Sequence, residues 1–164
     1  MGARASALAD RFEQANRDVV TTIEGCSDEQ LRAYCPGEQC TVVALACHVG
    51  EVHESVAGWV RTLAMGQPLP EITMEMVDRH NAARAAENAN RSKAEALDVL
   101  RRNGAEAARL VRGLSDEELD RSAPFALFGG TPITTEAMVE RILIGDPLAH
   151  LPSIKAAIGQ ATSS

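Results

Sequence analysis

The stretch TVVALACHVGEVHESVAGWVRTLAMG, residues 41–66, limits the possible folds more than any other part of the chain. Its apolar side chains Val42, Leu45, Val49, Val52, Val56, Trp59 and Leu63 recur at steps that alternate three and four. That period gathers them on one stripe of a long helix and on neither face of a strand. Such a stripe is the seam of a helical bundle, and other helices have to cover it. Thr41 is placed to cap its start, and Gly66 to stop it.

The remaining sequence supplies the covering helices. Leu8, Phe12, Ala15, Val19 and Ile23 mark a first helix from about Ala5 to Ile23. After the proline-bearing QPLPEIT, a third helical segment begins near Met74 or near Ser92 and carries Leu97, Leu100, Ala107, Val111 and Leu114. Ser92 and Glu95 have the spacing of a capping box. One helix from Met74 to Gly113 would be about 60 Å long, so a bend is expected near Asn90. A fourth helix starts near Thr134 or Thr135, with Val139, Ile142, Asp146, His150, Ile154 and Ile158 on one stripe. No strand is convincing. PFALFGGTPI is the best candidate and reads better as a loop. The expectation is one all-α domain over residues 1–164, a four-helix bundle with antiparallel or crossover links.

Composition agrees. Aromatic residues are only 3% of the 164, so the core must be built from Ala, Leu, Val and Ile, which favours close helix packing. A formal net charge of −7 argues against a nucleic-acid partner, since phosphate contacts need a basic face. No apolar run is long enough to span a bilayer, and MGARASALADRFEQANRDVV lacks the apolar centre of a signal peptide. The expected location is the cytoplasm. MGARAS fits a myristoylation pattern, but no polybasic patch supplies the second signal that membrane anchoring requires. Cys26, Cys35, Cys40 and Cys47 show no Cys-x-x-Cys spacing and read as reduced thiols. Cys47 beside His48 is either a small buried residue or a redox-sensing thiol activated by its neighbour.

A faint repeat runs through the chain. IEGCSDEQL (23–31) and VRGLSDEEL (111–119) share an aliphatic residue, Gly, Ser-Asp-Glu and Leu, and each lies between a long helix and a Thr-started one. Either the same capping solution arose twice, or two helix pairs are related by pseudo-symmetry.

Three polar residues stand where the pattern asks for apolar ones. His48 lies close to the seam of the second helix, and Asp146 and His150 are i and i+4 on the fourth. An unpaired buried carboxylate is costly. A divalent cation held by His48, Asp146 and His150 would remove that cost and leave positions open for water or substrate. The competing reading makes each histidine a satisfied core residue and Asp146 a helix cap followed by Pro147 at the first helical position. His53, about 140° round the helix from His48, is second shell or surface. His80, with Asp78 and Asn81, approaches the site if the third helix begins early. Pro147 and Pro152 remove donors from the fourth helix, so a kink is expected there.

ACHVGEVHE, VDRHNAARAAENANRSKAEALDVLRR and GDPLAHLPSI occur in an order that resembles the DinB-like superfamily over nearly the full length. That group includes mycothiol-dependent maleylpyruvate isomerases and thiol S-transferases. The resemblance implies a four-helix bundle with crossover connections and a metal site with His48, Asp146 and His150 as ligands. Asp146 is a departure, since that position is His or Glu in the family, and its shorter side chain leaves the metal's identity and occupancy open. The resemblance further implies zinc or nickel, and a low-molecular-weight thiol such as mycothiol that attacks, or isomerises, a small electrophile. The alternative is a non-catalytic metal-binding or helical interaction module, which could be a homodimer.

Overall fold

A computed structural model describes residues 2–163, with side chains through Ala161; the two ends of the expected domain, Met1 and Ser164, lie outside the described residues. Helix α1 spans Ala3–Glu24, α3 Val42–Ala64 and α5 Lys93–Arg112. The fourth long element is composite: α7 (Thr135–Met138), a π-helical segment (Val139–Ile144) and α8 (Gly145–Ser163). One side of α5 packs on α1 and the other on α3, and the composite helix fills the opposite side between the same two. Helices consecutive along this series, α1 to α3 and α5 to α8, therefore sit diagonally, which is the crossover arrangement.

The repeat accounts for those diagonals. After α1, Gly25 ends the helix and Ser27 opens the short α2 (Asp28–Arg32) with a complete capping box to Gln30. After α5, Gly113 ends the helix in the same conformation and Ser115 opens α6 (Asp116–Asp120) with a capping box to Glu118. Each short helix leads into a two-stranded ribbon and then a threonine cap: β1 (Tyr34–Cys35) and β2 (Cys40–Thr41) with Thr41, β3 (Ser122–Pro124) and β4 (Pro132–Thr134) with Thr134. The two capping solutions are thus embedded in two copies of one larger unit. Each unit spans a diagonal of the bundle, and the two units interlock.

The ribbons correct the expectation that no strand forms. Ala123 pairs with Ile133, and Ala126–Phe128 make a 3-10 turn between the strands, so part of PFALFGGTPI is strand. Strands this short carry no periodicity that a sequence can show. The third segment is also two helices rather than one bent one. Helix α4 (Met74–Asn88), capped by Thr73, ends before Ser92 caps α5, whose box with Glu95 is complete. Of α4, only Asn88 is buried.

The core forms two clusters along the bundle. Phe12, Leu63, Leu119, Phe125, Met138 and Leu143 anchor one, while Val19, Ile23, Val42, Leu100 and Ile154 anchor the other. Burying each of the larger side chains stabilises the fold by roughly 1.5–3 kcal/mol. Alanines and two glycines let the helices approach closely. A Cβ on Gly50 would lie 2.5 Å from Val99 Cγ1 and 3.1 Å from the backbone nitrogen of Leu100, so α3 and α5 meet there backbone to backbone. A Cβ on Gly104 would collide with the Asn16 amide, so glycine makes the space in which Asn16 sits.

Candidate metal centre

His48, Asp146 and His150 converge on one point between α3 and α8. One donor atom from each lies within 4.8 Å of the other two. His150 Nε2 is 3.2 Å from Asp146 Oδ1, and His48 Nε2 is 3.8 Å from the same oxygen. The two imidazoles stand nearly perpendicular, with centroids 5.1 Å apart. Donors on a four-coordinate zinc, with bonds near 2.0–2.2 Å, are about 3.3 Å apart, so small side-chain shifts would bring all three into bonding range. Short as it is, the Asp146 side chain brings Oδ1 within 4 Å of both imidazoles. Its second oxygen, Oδ2, is buried without a hydrogen-bond partner, an acceptor that a bound ion or a water would satisfy. The donor set and this orphaned oxygen fit a divalent cation.

Local structure explains how Asp146 and His150 are aimed. The backbone passes from the π segment through Gly145 in helical conformation, so Asp146 is not the cap of a restarting helix. The π segment also breaks the single stripe expected along the fourth helix. Upstream, Val139, Leu143 and Ile144 face the core, while Ile142 joins Asp146 and His150 on a cavity wall. Such a widened turn is common at functional sites because it re-aims the residues that follow. Pro147 falls where the π segment has just given way to α8, and Pro152 lies inside α8.

A fourth residue orders the group, and sequence analysis missed it. Glu38, in the turn between β1 and β2, accepts hydrogen bonds through Oε1 from His150 Nδ1 and from Ser153 Oγ, both at 3.0 Å. Nε2–H of the same ring donates to Asp146 Oδ1, so with Nδ1–H held by Glu38 it is Nε2 that would give up its proton to take an ion between Asp146 and His48. The turn depends on Gln39 in a left-handed conformation, φ 57°. Nothing in the sequence marks Glu38, because its partner is 112 residues away.

Burial alone would raise the Asp146 carboxyl, but the imidazoles of His150 and His48 outweigh it and hold it below the ordinary carboxylate range. Burial likewise disfavours charge on His150, yet Asp146 and Glu38 together push it above the usual histidine value. His53 is neither exposed nor a candidate ligand. It is fully buried, and its Nε2 lies 2.8 Å from Asn16 Oδ1, while Asn16 donates to the carbonyl of Leu100. Asn16 therefore accepts from His53 Nε2–H, which leaves Nδ1 as an unpartnered acceptor. Burial lowers its pKa to about 4. The redox reading of Cys47 also fails. The thiol is buried, and burial raises its pKa to about 11, so it is no thiolate at neutral pH.

His48, Asp146 and His150 form part of the wall of a cavity of about 790 Å³, within the size range of small-molecule sites. Because α4 begins at Met74, His80 and Asn81 line it, as the early start predicts. Asp78 does not, and lines an adjoining depression beside Tyr34 and Gln39 that shares Glu38 and Asn81 with the cavity. Trp59, Phe125 and Phe128 form an aromatic wall, and Glu51, Arg84 and Asn88 a polar one. Glu51 lies three residues after His48 on α3, a helical spacing that could have drawn attention to it.

The family model of the DinB superfamily matches residues 11–144, more than half of the chain. The match includes His48 and ends just before Asp146 and His150, so those two rest on the geometry above. Comparison with curated proteins gave no match. Among solved structures the chain is similar to YfiT from Bacillus subtilis, with a TM-score of 0.79 and 14% identity, covering 99% of this chain and 90% of that one. YfiT is described as a probable metal-dependent hydrolase with an unusual four-helix bundle topology. At that identity the likeness shows the fold.

Proposed function

The chain belongs to the DinB superfamily, and on that premise we propose that it is a metal-dependent enzyme acting on a small electrophile with a low-molecular-weight thiol, mycothiol or one like it. The thiol either ends on the substrate or departs after isomerising it. The observation that carries this reading is the convergence of His48, Asp146 and His150 on the wall of a cavity large enough for a small molecule. Three protein donors leave a divalent ion with an open position, as in catalytic rather than structural sites. Zinc or nickel held there would supply one thing: a lowered pKa for a coordinated thiol, which makes it a nucleophile at neutral pH.

The protein's own residues do the rest. Asp146 contributes the negative charge of the donor set, and Glu38 fixes the ring orientation of His150. His80 and Asn81, on α4 across the cavity, are placed to hydrogen-bond a substrate. The aromatic wall of Trp59, Phe125 and Phe128 offers apolar surface to the body of the substrate. A second reading puts water in place of the thiol at the same open position, in keeping with the hydrolase description of YfiT.

Metal content and thiol consumption test the proposal together. Purified protein should carry zinc or nickel in stoichiometric amount, and His48→Ala and His150→Ala should both lose it. The loaded protein should consume mycothiol in the presence of an electrophile. Metal with hydrolysis but no thiol consumption favours the water reading. Metal with neither leaves a metal-binding module, and failure to take up either ion removes the enzyme altogether.

A further inference from the structure

The cavity holds one guanidinium among its described lining residues, that of Arg84, and its nitrogens are already engaged. Arg84 Nε donates to Glu51 Oε2 at 3.0 Å and Nη2 to Glu51 Oε1 at 2.8 Å, a bidentate pair, while Nη1 reaches Glu87. Asn88 Nδ2 donates to Glu51 Oε1 at 2.7 Å and completes the cluster. We propose that the cavity takes a neutral, ring-bearing electrophile and rejects carboxylated ones, and that Glu51 sets this selectivity by occupying Arg84. The proposal rests on the small-electrophile reading of the site given above.

Charge and surface both support it. The lining carries three carboxylates, of Glu38, Glu51 and Asp146, against Arg84. A divalent cation in the triad would bring the formal charge to balance, and the thiol held at its open position would leave no site there for an anionic substrate. The imidazole of His150 lies between Asp146 and Glu38. Arg141 lies outside the lining, with its guanidinium carbon 4.8 Å from the Phe128 ring centroid. With the thiol in place, a carboxylate entering the cavity would lose its water and find no unpaired cation, and that desolvation is costly.

An apolar ring meets the opposite situation. Trp59 and Phe125 pack edge to face at 5.5 Å, and Phe125 and Phe128 at 5.2 Å, which builds a continuous aromatic wall. Aromatic side chains bind flat rings through stacked or edge contacts beyond simple burial. Met74 and Met76, largely exposed on α4, are flexible apolar groups that adapt to different ring substituents.

Trp59 is the only tryptophan of the chain, so its fluorescence reports occupancy without reference to turnover. The probes are 4-nitrobenzyl alcohol and 4-nitrobenzoate, which share a quenching ring and differ in charge. The protein as purified, with saturating mycothiol to fill the open position of a bound ion, should show saturable quenching by both, with the alcohol bound at least about tenfold more tightly, reflecting the cost of burying an unpaired carboxylate. Glu51→Gln, which keeps a hydrogen-bonding side chain and leaves Arg84 paired with the exposed Glu87 alone, should narrow the gap to about threefold or less with the alcohol's affinity unchanged. Arg84→Gln should leave the gap as wide or wider. Equal or tighter binding of the carboxylate, a gap that Glu51→Gln leaves intact, or no saturable quenching by either probe overturns the proposal. Absence of metal would show in elemental analysis alone, so failure of the functional reading is told apart from failure of this one.

Discussion

Glu38 Oε1 lies 3.0 Å from His150 Nδ1, across the junction between the first ribbon and α8. The contact holds Nδ1–H and leaves Nε2 toward Asp146 and His48, so Glu38 orients a candidate ligand without joining the donor cluster. Glu38→Gln should lower zinc affinity about 10- to 100-fold while the fold stays intact. Competition titration against a chromophoric chelator, with circular dichroism as the control, measures both.

Metal should also stabilise the protein, because the donor triad is assembled only in the folded chain. At zinc one hundred times its Kd the gain is about 2.7 kcal/mol, or roughly 5–11 °C in Tm for a domain of this length. Calorimetry with and without chelator should show that shift in the native sequence. His48→Ala and Asp146→Asn should abolish it.

Buried His53 makes the fold sensitive to acid. Its pKa is about 4 in the folded protein and near 6.5 in the unfolded chain. Between those values the unfolded state binds a proton that the folded state refuses. Stability is therefore full above pH 6.5 and falls by up to about 1.4 kcal/mol per unit as pH drops to 4, for a total of roughly 3 kcal/mol. His53→Gln keeps a donor for Asn16 and cannot titrate. Urea unfolding at pH 7 and pH 4.5 should show a smaller loss in the variant than in the native sequence.

Gly50 and Gly58 lie on the same helix and should respond oppositely to alanine. At Gly50 the new methyl would press on Val99 and the Leu100 backbone, and overpacking of this kind costs about 1–3 kcal/mol. At Gly58 it meets nothing within 4 Å, so alanine should add about 0.5–1 kcal/mol through helix propensity. Thermal denaturation of the two variants decides the sign of each.

The Cys47 thiol, raised to about 11, should be unreactive. Its alkylation by iodoacetamide at pH 8 should proceed far more slowly than that of free cysteine, and Cys47→Ser should leave the oxidation response of the protein unchanged.

Much of this architecture was legible because it is local. The alternating steps of α3, the Ser92–Glu95 and Ser27 capping patterns, and the threonine caps are decided within a few residues, where backbone donors and short side chains meet. The repeat was visible for the same reason, since each copy is one local capping solution. The site was half legible. Apolar periodicity marks His48, Asp146 and His150 because each interrupts a stripe, and an interruption can be read without knowing what faces it.

What interrupts no pattern stayed hidden until the chain was folded. Glu38 sits in a polar turn, and Arg84 and Asn88 on an almost wholly exposed helix, where charged residues need no explanation. The π segment leaves no mark either, because it changes the register of hydrogen bonds without changing which residue types occur. The sequence by itself determined the helices, their caps and three out-of-place polar residues, all products of short-range backbone chemistry and hydrophobic period. Only the tertiary structure decided that Glu38 orients His150 and that Glu51 occupies Arg84, because those pairings join residues far apart in the chain and depend on where the diagonal crossovers set them down.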